Sequence, residues 1–524
     1  MKTKKVFLIL LCVLCGSGLW AQKSMGLRDR DAARYAELYY LQEDYAYALK
    51  LFSPIHKKDS TNTYLAHRMG ACLLMTRQDK PRAGRLLKQA VDSGREEALF
   101  HYGYYLQLEH RFDEALETYH AAGASKKNEN SQAQLNRHIA QSTVGQKLIK
   151  APVDVRISNL GAPINTSFKE YVPLCTQDSR TLYFTSRRPG TTSQLKDPNG
   201  EFFEDIYFAQ KDSVSGKWQE PRRMPVPINS ETNDATVGLS STGNTLLFFR
   251  TSENLTGGDL YIVRKKDGNW QKPEKFGDGI NSKHKESSAC ITTDGQLMIF
   301  SSNRPGGYGG MDLYVSRRLN SGYWSKSLNL GPVINGPGNE DSPYLSDDGK
   351  TLYYASDAPP GMGGYDLFKS TMGKDFVWSA PENMGYPINT ADDDVFLCMY
   401  GGGKKGFFSS DRSGGIGGQD LYAVEFVYRH KTEIIARGVM TNAEGQALKA
   451  KITLIDEDRG VVCGTYNTNE KTGKYILVIN PMVNYRIMAE APGYAPVTHA
   501  FNMDGPFEKL SEHALETLKM EGMK

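Results

Sequence analysis

The sequence has little that would support catalysis or a membrane span. Only seven of its 524 residues are cysteine and ten are histidine. Two cysteines fall in the first fifteen residues. The remaining five, Cys72, Cys175, Cys290, Cys398 and Cys463, are odd in number and far apart. That excludes a disulfide framework or a zinc-ligand spacing and leaves buried free thiols as the expectation. No GxSxG elbow, HExxH pair or P-loop occurs, and the histidines show no pairing. No catalytic residue, metal site or cofactor is therefore expected, and the chain reads as non-enzymatic. Charge is nearly balanced, 63 basic against 60 acidic residues for a net +3. Nothing in that balance calls for nucleic acid or an anionic membrane surface. The length exceeds what one hydrophobic core supports, so several domains are expected.

What is present begins with an export signal over residues 1–21. Lys2, Lys4 and Lys5 precede the apolar run Val6 to Leu14, which is too short to cross a bilayer, and small residues then lead to Ala21. Leu11 and Leu14 stand before Cys12 and Cys15, where a lipobox needs a small residue. Cleavage after Ala21 is expected over a lipid anchor.

Residues 22–149 carry a helical repeat. Small residues recur at Ala36, Gly70 and Gly103, 33 or 34 residues apart, each followed after three by Tyr39, Leu73 or Leu106. Ala48 with Phe52, and Ala115 with Tyr119, sit at matching offsets, while the middle copy is irregular around Pro81 and Ala83. Small positions allow antiparallel helices to approach, and the aromatics fill the groove beside them. The pattern resembles the tetratricopeptide repeat, with three copies and a closing helix near Ser131 to Lys150. That resemblance implies a concave protein-binding surface.

Residues 150–427 repeat every 53 or 54 residues. EDIY, GDLY, MDLY, YDLF and QDLY place aspartates at Asp205, Asp259, Asp312, Asp366 and Asp420. An apolar strand precedes each, a tryptophan follows the first four (Trp218, Trp270, Trp324, Trp378), and an Ile-Asn pair marks all five at Asn165, Asn229, Asn281, Asn335 and Asn389. Short strands with glycine-rich turns and no intervening helical period describe a five-bladed all-β propeller. ISNLGAPIN before the first blade copies SLNLGPVIN, and no tryptophan follows Tyr422. The stretch Val153 to Gly161 is thus expected to complete the fifth blade and close the ring. The motifs resemble WD40-like (PD40) repeats of the periplasmic TolB protein and some peptidase propellers.

One acid lies five residues after each repeat asparagine: Glu170, Asp234, Glu286, Glu340 and Asp394. Two readings fit. The five could ring one mouth of the channel and attract a cation or basic peptide. Or each could bond within its blade, or to Arg187, Arg250, Arg304 or Arg412, repeated because the blade is repeated. The repeated Asp of DLY should accept backbone hydrogen bonds in its turn. The loop Gly306 to Gly310 lacks the following helix that a phosphate cradle needs.

From residue 431 to 503 alternating strands with turns at Gly445 and Gly473 predict a small antiparallel β-sandwich. It resembles the carboxypeptidase regulatory-like domain, a transthyretin-type fold without implied peptidase activity. In the tail 504–524, Phe507, Leu510, Ala514 and Leu518 are spaced as a helical stripe. The order of signal, helical repeats, propeller and sandwich resembles a Bacteroidetes envelope family that includes the type IX secretion accessory protein PorE. There an OmpA-like domain follows; this sequence stops about where it would begin, so peptidoglycan binding is not carried over. The resemblance implies a periplasmic scaffold or adaptor for envelope or secretion-system proteins, reaching the outer membrane through partners. The alternative is a propeller module recognising a glycan or peptide. Export should leave a mature chain beginning at Gln22 without an acyl group, and an intact mass showing lipid on Cys12 or Cys15 would contradict this.

Overall fold

The computed structural model describes residues 26–197, 199–375, 377–427, 434–457, 460–479, 483–501, 512–514 and 517–522. The stretch expected to be an export signal, residues 1–21, lies outside the described residues. The chain divides into two units, residues 1–426 and 427–524.

Among the described residues the first unit opens with seven α-helices: α1 (Leu27–Leu41), α2 (Tyr45–Lys58), α3 (Thr63–Met75), α4 (Lys80–Asp92), α5 (Leu99–Leu108), α6 (Phe112–Ala124) and α7 (Gln132–Lys150). Asp44, Asn62 and Asp79 cap α2, α3 and α4, and Ser131 with Gln134 forms a capping box on α7. Pro81, the irregularity of the middle copy, sits in the first turn of α4, where a missing N–H costs nothing. Consecutive helices pack as pairs, α1 with α2, α3 with α4 and α5 with α6. The small positions set the approach. A Cβ on Gly70 would lie 2.7 Å from Leu87, and one on Gly103 2.9 Å from Tyr119. Ala36, Ala48, Phe52, Ala115 and Tyr119 are all fully buried there.

Five antiparallel sheets follow in a β-propeller. Sheet 1 is Glu170–Cys175, Thr181–Ser186, Asp205–Gln210 and Arg222–Arg223. Sheet 2 has Asp234–Leu239, Thr245–Thr251, Gly258–Lys266 and Glu274–Lys275 in those places, with Asn269–Trp270 paired to its third strand. Sheet 3 has Glu286–Ile291, Leu297–Ser302, Asp312–Arg317 and Leu328–Asn329; sheet 4 has Glu340–Leu345, Thr351–Ser356, Asp366–Thr371 and Glu382–Asn383. Sheet 5 takes Asp394–Tyr400, Lys405–Ser410 and Asp420–Phe426 from the end of the unit and its last strand, Val155–Asn159, from the beginning. Val155 stands opposite Phe426 and Asn159 opposite Tyr422. The first strands neighbour one another in a cycle, sheet 5 against sheet 1, so the ring closes. Apolar side chains fill the space between each neighbouring pair; Leu182 and Phe184 meet Phe407 and Leu421 at the closure.

The repeat asparagines lock these sheets together. Each side chain accepts from the N–H and donates to the carbonyl of one residue on the preceding sheet's third strand, at 2.7–3.0 Å. Asn165 clasps Leu421, Asn229 Ile206, Asn281 Leu260, Asn335 Leu313 and Asn389 Leu367. All five are buried. An amide thereby takes the place of a neighbouring strand, and each buried backbone group it satisfies would otherwise carry a penalty of about 1–3 kcal/mol.

The helices pack onto the loops of sheets 4 and 5. Met362, Ala391 and Tyr386 join the helical core beside Leu108 and Phe112. Arg77 and Lys80 converge on buried Asp392 at 3.0 and 2.6 Å, and Lys80 also donates to the Asp411 carbonyl at 2.8 Å. Gln107 donates to the Met362 carbonyl at 3.1 Å and Gln141 to that of Gly363. Burial, with the charges of Asp393 and Asp392 alongside, pushes the Asp411 carboxyl up to about 7.

In the second unit Ile434–Asn442 pairs antiparallel with Lys474–Ile479. Val461–Asn467, Lys451–Asp456, Tyr485–Glu490 and Val497–Phe501 form a second sheet, in that order. Ala436, Ile452, Leu477 and Ile487 share one core between them. The tail corrects the sequence reading. Glu512–Ala514 and Leu518–Met520 are strands, parallel to Ile434–Asn442, and not a helix. Leu518 and Met520 are buried with Lys519 exposed between them, a period of two that the spacing from Ala514 to Leu518 had masked. Phe507 and Leu510 lie outside the described residues.

Closure by the N-terminal strand is testable on the propeller alone. A chain starting at Thr166 lacks Val155–Asn159 and the Asn165 clasp, whereas one starting at Lys150 keeps both. The shorter chain should melt roughly 10 °C or more below the longer by differential scanning calorimetry, or aggregate. Equal melting temperatures would contradict closure.

Candidate functional site

The five acids open the first strand of each sheet, and all are essentially fully buried. Each accepts from the backbone N–H four residues earlier, at 2.6–3.0 Å: Thr166, Ser230, Ser282, Gly336 and Thr390. In four sheets the serine ending the second strand (Ser186, Ser302, Ser356, Ser410) also donates to the acid, at 2.6–2.8 Å. Each carboxylate thus braces the loop that carries the repeat asparagine. The narrow space at the axis, about 50 Å³, is lined by Val172, Val237, Ser342, Tyr344 and Phe396, with none of the five acids among them. These hydrogen bonds are the ones that the reading within the blade calls for.

A guanidinium completes four of these sites. Arg188 meets Glu170 at 3.3 Å, Arg250 Asp234 at 2.6 Å, Arg304 Glu286 at 2.9 Å and Arg412 Asp394 at 2.6 Å. Each also donates to an isoleucine carbonyl, that of Ile164, Ile228, Ile280 or Ile388, at 2.6–2.7 Å. Each lies over two rings at 4.8–5.3 Å: Phe184 and Tyr207, Phe248 and Tyr261, Phe300 and Tyr314, Phe408 and Tyr422. Buried carboxylates need such partners. In sheet 1 the partner is Arg188 and not Arg187, whose guanidinium goes to Asp197, Glu201 and Glu204. The signal was in the sequence, because Arg188, Arg304 and Arg412 each stand two residues after the strand-ending serine. Sheet 2 reaches the same place differently: Arg250 occupies the serine's register position, directly opposite Asp234.

Sheet 4 is the exception. Two residues after Ser356 stands Ala358, and no ion pair to Glu340 occurs among the described residues. A cavity of about 200 Å³ remains, walled by Glu340, Ile334, Tyr354, Phe368 and Ala358. Burial pushes the Glu340 carboxyl up to about 7, opposed by the Ser356 and Gly336 hydrogen bonds and aided by the charges of Asp312 and Asp357.

The DLY aspartates hold turns as expected at four positions. Asp205 accepts from Thr192, Asp312 from Tyr308 and Gly309, Asp366 from Met362 and Gly363, and Asp420 from Ile416 and Gly417. Asp259 departs, pairing with Lys275 at 2.7 Å. The glycine-rich loops are close approaches between neighbouring sheets. A Cβ on Gly309 would meet the Gly338 carbonyl at 2.0 Å, and one on Gly417 that of Phe168 at 2.0 Å. Among the cysteines, Cys175 and Cys398 are brought together by ring closure, with sulfurs 3.5 Å apart, both as free thiols. Among the described residues no helix is long and apolar enough to cross a membrane.

No family model matches the chain, and no curated protein matches it. Among solved structures, TolB from Acinetobacter baumannii is similar at 14% identity over 57% of this chain and 71% of that one, with a TM-score of 0.32. An α-L-arabinanase of Penicillium chrysogenum, complexed with arabinobiose, is 12% identical over 50% of this chain and 98% of that one, TM-score 0.33. The β-propeller domain of the Trilobed protease from Pyrococcus furiosus is 12% identical over 66% and 98%, TM-score 0.25. No functional residue is carried over from any of them.

Glu340, which no guanidinium meets, has a pH signature. Its folded value of about 7 lies above the ordinary 4.5, so the native state keeps a proton that the unfolded chain releases between those values. Stability falls as pH rises through that window, and the penalty is complete above it. In Glu340→Gln the amide oxygen can still accept from Gly336, and the amide can donate to Ser356. The melting temperature of that variant should gain on the wild type at pH 8 and show little gain at pH 5. An equal gain at both would contradict the assignment.

Proposed function

We propose that this chain is a non-catalytic scaffold of the bacterial cell envelope, exported to the periplasm, that binds other proteins. Its docking body joins three tetratricopeptide-like repeats to a five-bladed WD40-like propeller. The second unit, a transthyretin-like sandwich of the carboxypeptidase regulatory-like kind, acts as a spacer. An accessory place in type IX secretion is the specific form of this role that the domain order supports.

The observation that carries the reading is the junction between helices and propeller. Buried Asp392 takes two cations from the helices, glutamines from α5 and α7 cap propeller carbonyls, and one apolar core runs across. Two broad surfaces are thereby held as one preformed body, which lowers the ordering cost of binding a large partner. The polar groups repeated through the sheets are consumed in holding the fold, in keeping with a role by surface and not by chemistry. Recognition of a small ligand by the propeller is favoured at one place, the open cavity of sheet 4.

Pull-down from an envelope extract tests the assignment. The full chain and a chain ending at Val427 should retain the same partners, identified by mass spectrometry. Complete loss of partners on removing only residues 428–524 would contradict it.

A further inference from the structure

Four of the five sheets fill one site in the same way. A guanidinium lies between a buried carboxylate and an isoleucine carbonyl, over two aromatic rings. Sheet 4 keeps the walls and lacks the occupant. Glu340 supplies the carboxylate, Ile334 the carbonyl, and Tyr354 and Phe368 the rings, which stack on each other as in three of the four filled sheets. Ala358 stands where an arginine stem would begin. The Tyr354 hydroxyl, absent from the phenylalanines at that place in the filled sheets, reaches toward the Ile334 carbonyl at 3.4 Å but leaves the cavity open. The space left, about 200 Å³, is far beyond the roughly 10–15 Å³ that one water needs on the same measure.

We propose that this cavity binds the guanidinium of an arginine side chain presented by another polypeptide. The ligand chemistry is read from the chain itself, because four internal copies of the site select arginine and none selects lysine. A planar fork can stack on the rings while donating to the carboxylate and the carbonyl together, which a compact ammonium cannot do. The Ile334 carbonyl remains open to this. Its contact is the Tyr354 hydroxyl at 3.4 Å, a long bond that leaves a lone pair free.

The mouth argues for a polypeptide source. Pro332, Val333, Pro359 and Pro360 are exposed around it and form an apolar rim against which the methylene stem and adjoining backbone of an arginine can lie. The chain's own candidate is engaged elsewhere: Arg137 of α7 reaches this loop but donates to the Asp357 carbonyl at 3.1 Å. The inference draws on the docking role only for the source of the arginine. The test below reads the site without any partner, so the pull-down can fail while this result stands.

The experiment is a calorimetric or NMR titration of the full chain with N-acetyl-arginine-N-methylamide, against capped lysine, capped norleucine and methylguanidinium. Wild type should bind the capped arginine saturably, with a dissociation constant on the order of millimolar for so small a ligand. The other three probes should bind at least about fivefold more weakly. Glu340→Gln should weaken arginine binding about tenfold or more without lowering the melting temperature. Ala358→Arg should abolish binding and raise the melting temperature, since it rebuilds the occupant of the other four sheets. No saturable binding, or undiminished binding to Ala358→Arg, would overturn the proposal. Equal affinity for capped norleucine would make the site a plain apolar pocket. Equal affinity for methylguanidinium would remove the polypeptide source. Binding that appears only in Arg137→Ala would assign the cavity to the chain's own α7.

Discussion

Everything in the propeller depends on a side-chain amide that imitates a strand. The asparagine at the entry of each sheet presents a donor and an acceptor to one residue of the sheet before it. A propeller needs this because neighbouring sheets meet face to face, through side chains, and share no backbone ladder. Apolar packing alone resists separation but tolerates sliding, whereas a bidentate amide tolerates neither. The carboxylate five residues on braces the loop that aims the amide, and the guanidinium braces the carboxylate. The repeat is therefore a nested set of supports, with the ring geometry at its centre.

That nesting explains which parts of the structure were legible beforehand. Periods of 53 or 54 residues, the asparagines and the DLY turns all arise from contacts within a sheet or between neighbours, and repetition writes such contacts into the sequence five times. The copied ISNLGAPIN stretch betrayed the closing strand for the same reason. Contacts made once leave no such trace. Arg77 and Lys80 meet Asp392 across more than three hundred residues, and Cys175 meets Cys398 only because the ring closes. The tail strands resemble a helical stripe in sequence because four residues of a two-period strand and one turn of helix place apolar positions alike. Two adjacent arginines follow Ser186, and the one that meets Glu170 is set by its distance of two residues from that serine, as in sheets 3 and 5.

Buried charge is handled with the same economy of means in four sheets and differently in sheet 4. Where the guanidinium is present, charge, hydrogen bonds and ring stacking converge on one group, and a carboxylate can be kept in the interior. In sheet 4 the carboxylate survives without it, held by Gly336 and Ser356, with its carboxyl pushed up to about 7.

The closing strand also bears on how the molecule comes to be folded. Val155–Asn159 is among the first parts of the propeller to be synthesised, and its partner Asp420–Phe426 is the last. Throughout that interval the strand has no edge to join, while α7, to which it is attached, can already fold with the helices before it. Sheets 1 to 4 can each assemble from adjacent sequence, but the ring remains an open arc until the final turn of chain arrives. The strand pairing of greatest sequence separation is thus also the one that renders the ring cooperative, and an unfinished chain exposes two sticky edges at opposite ends of one molecule.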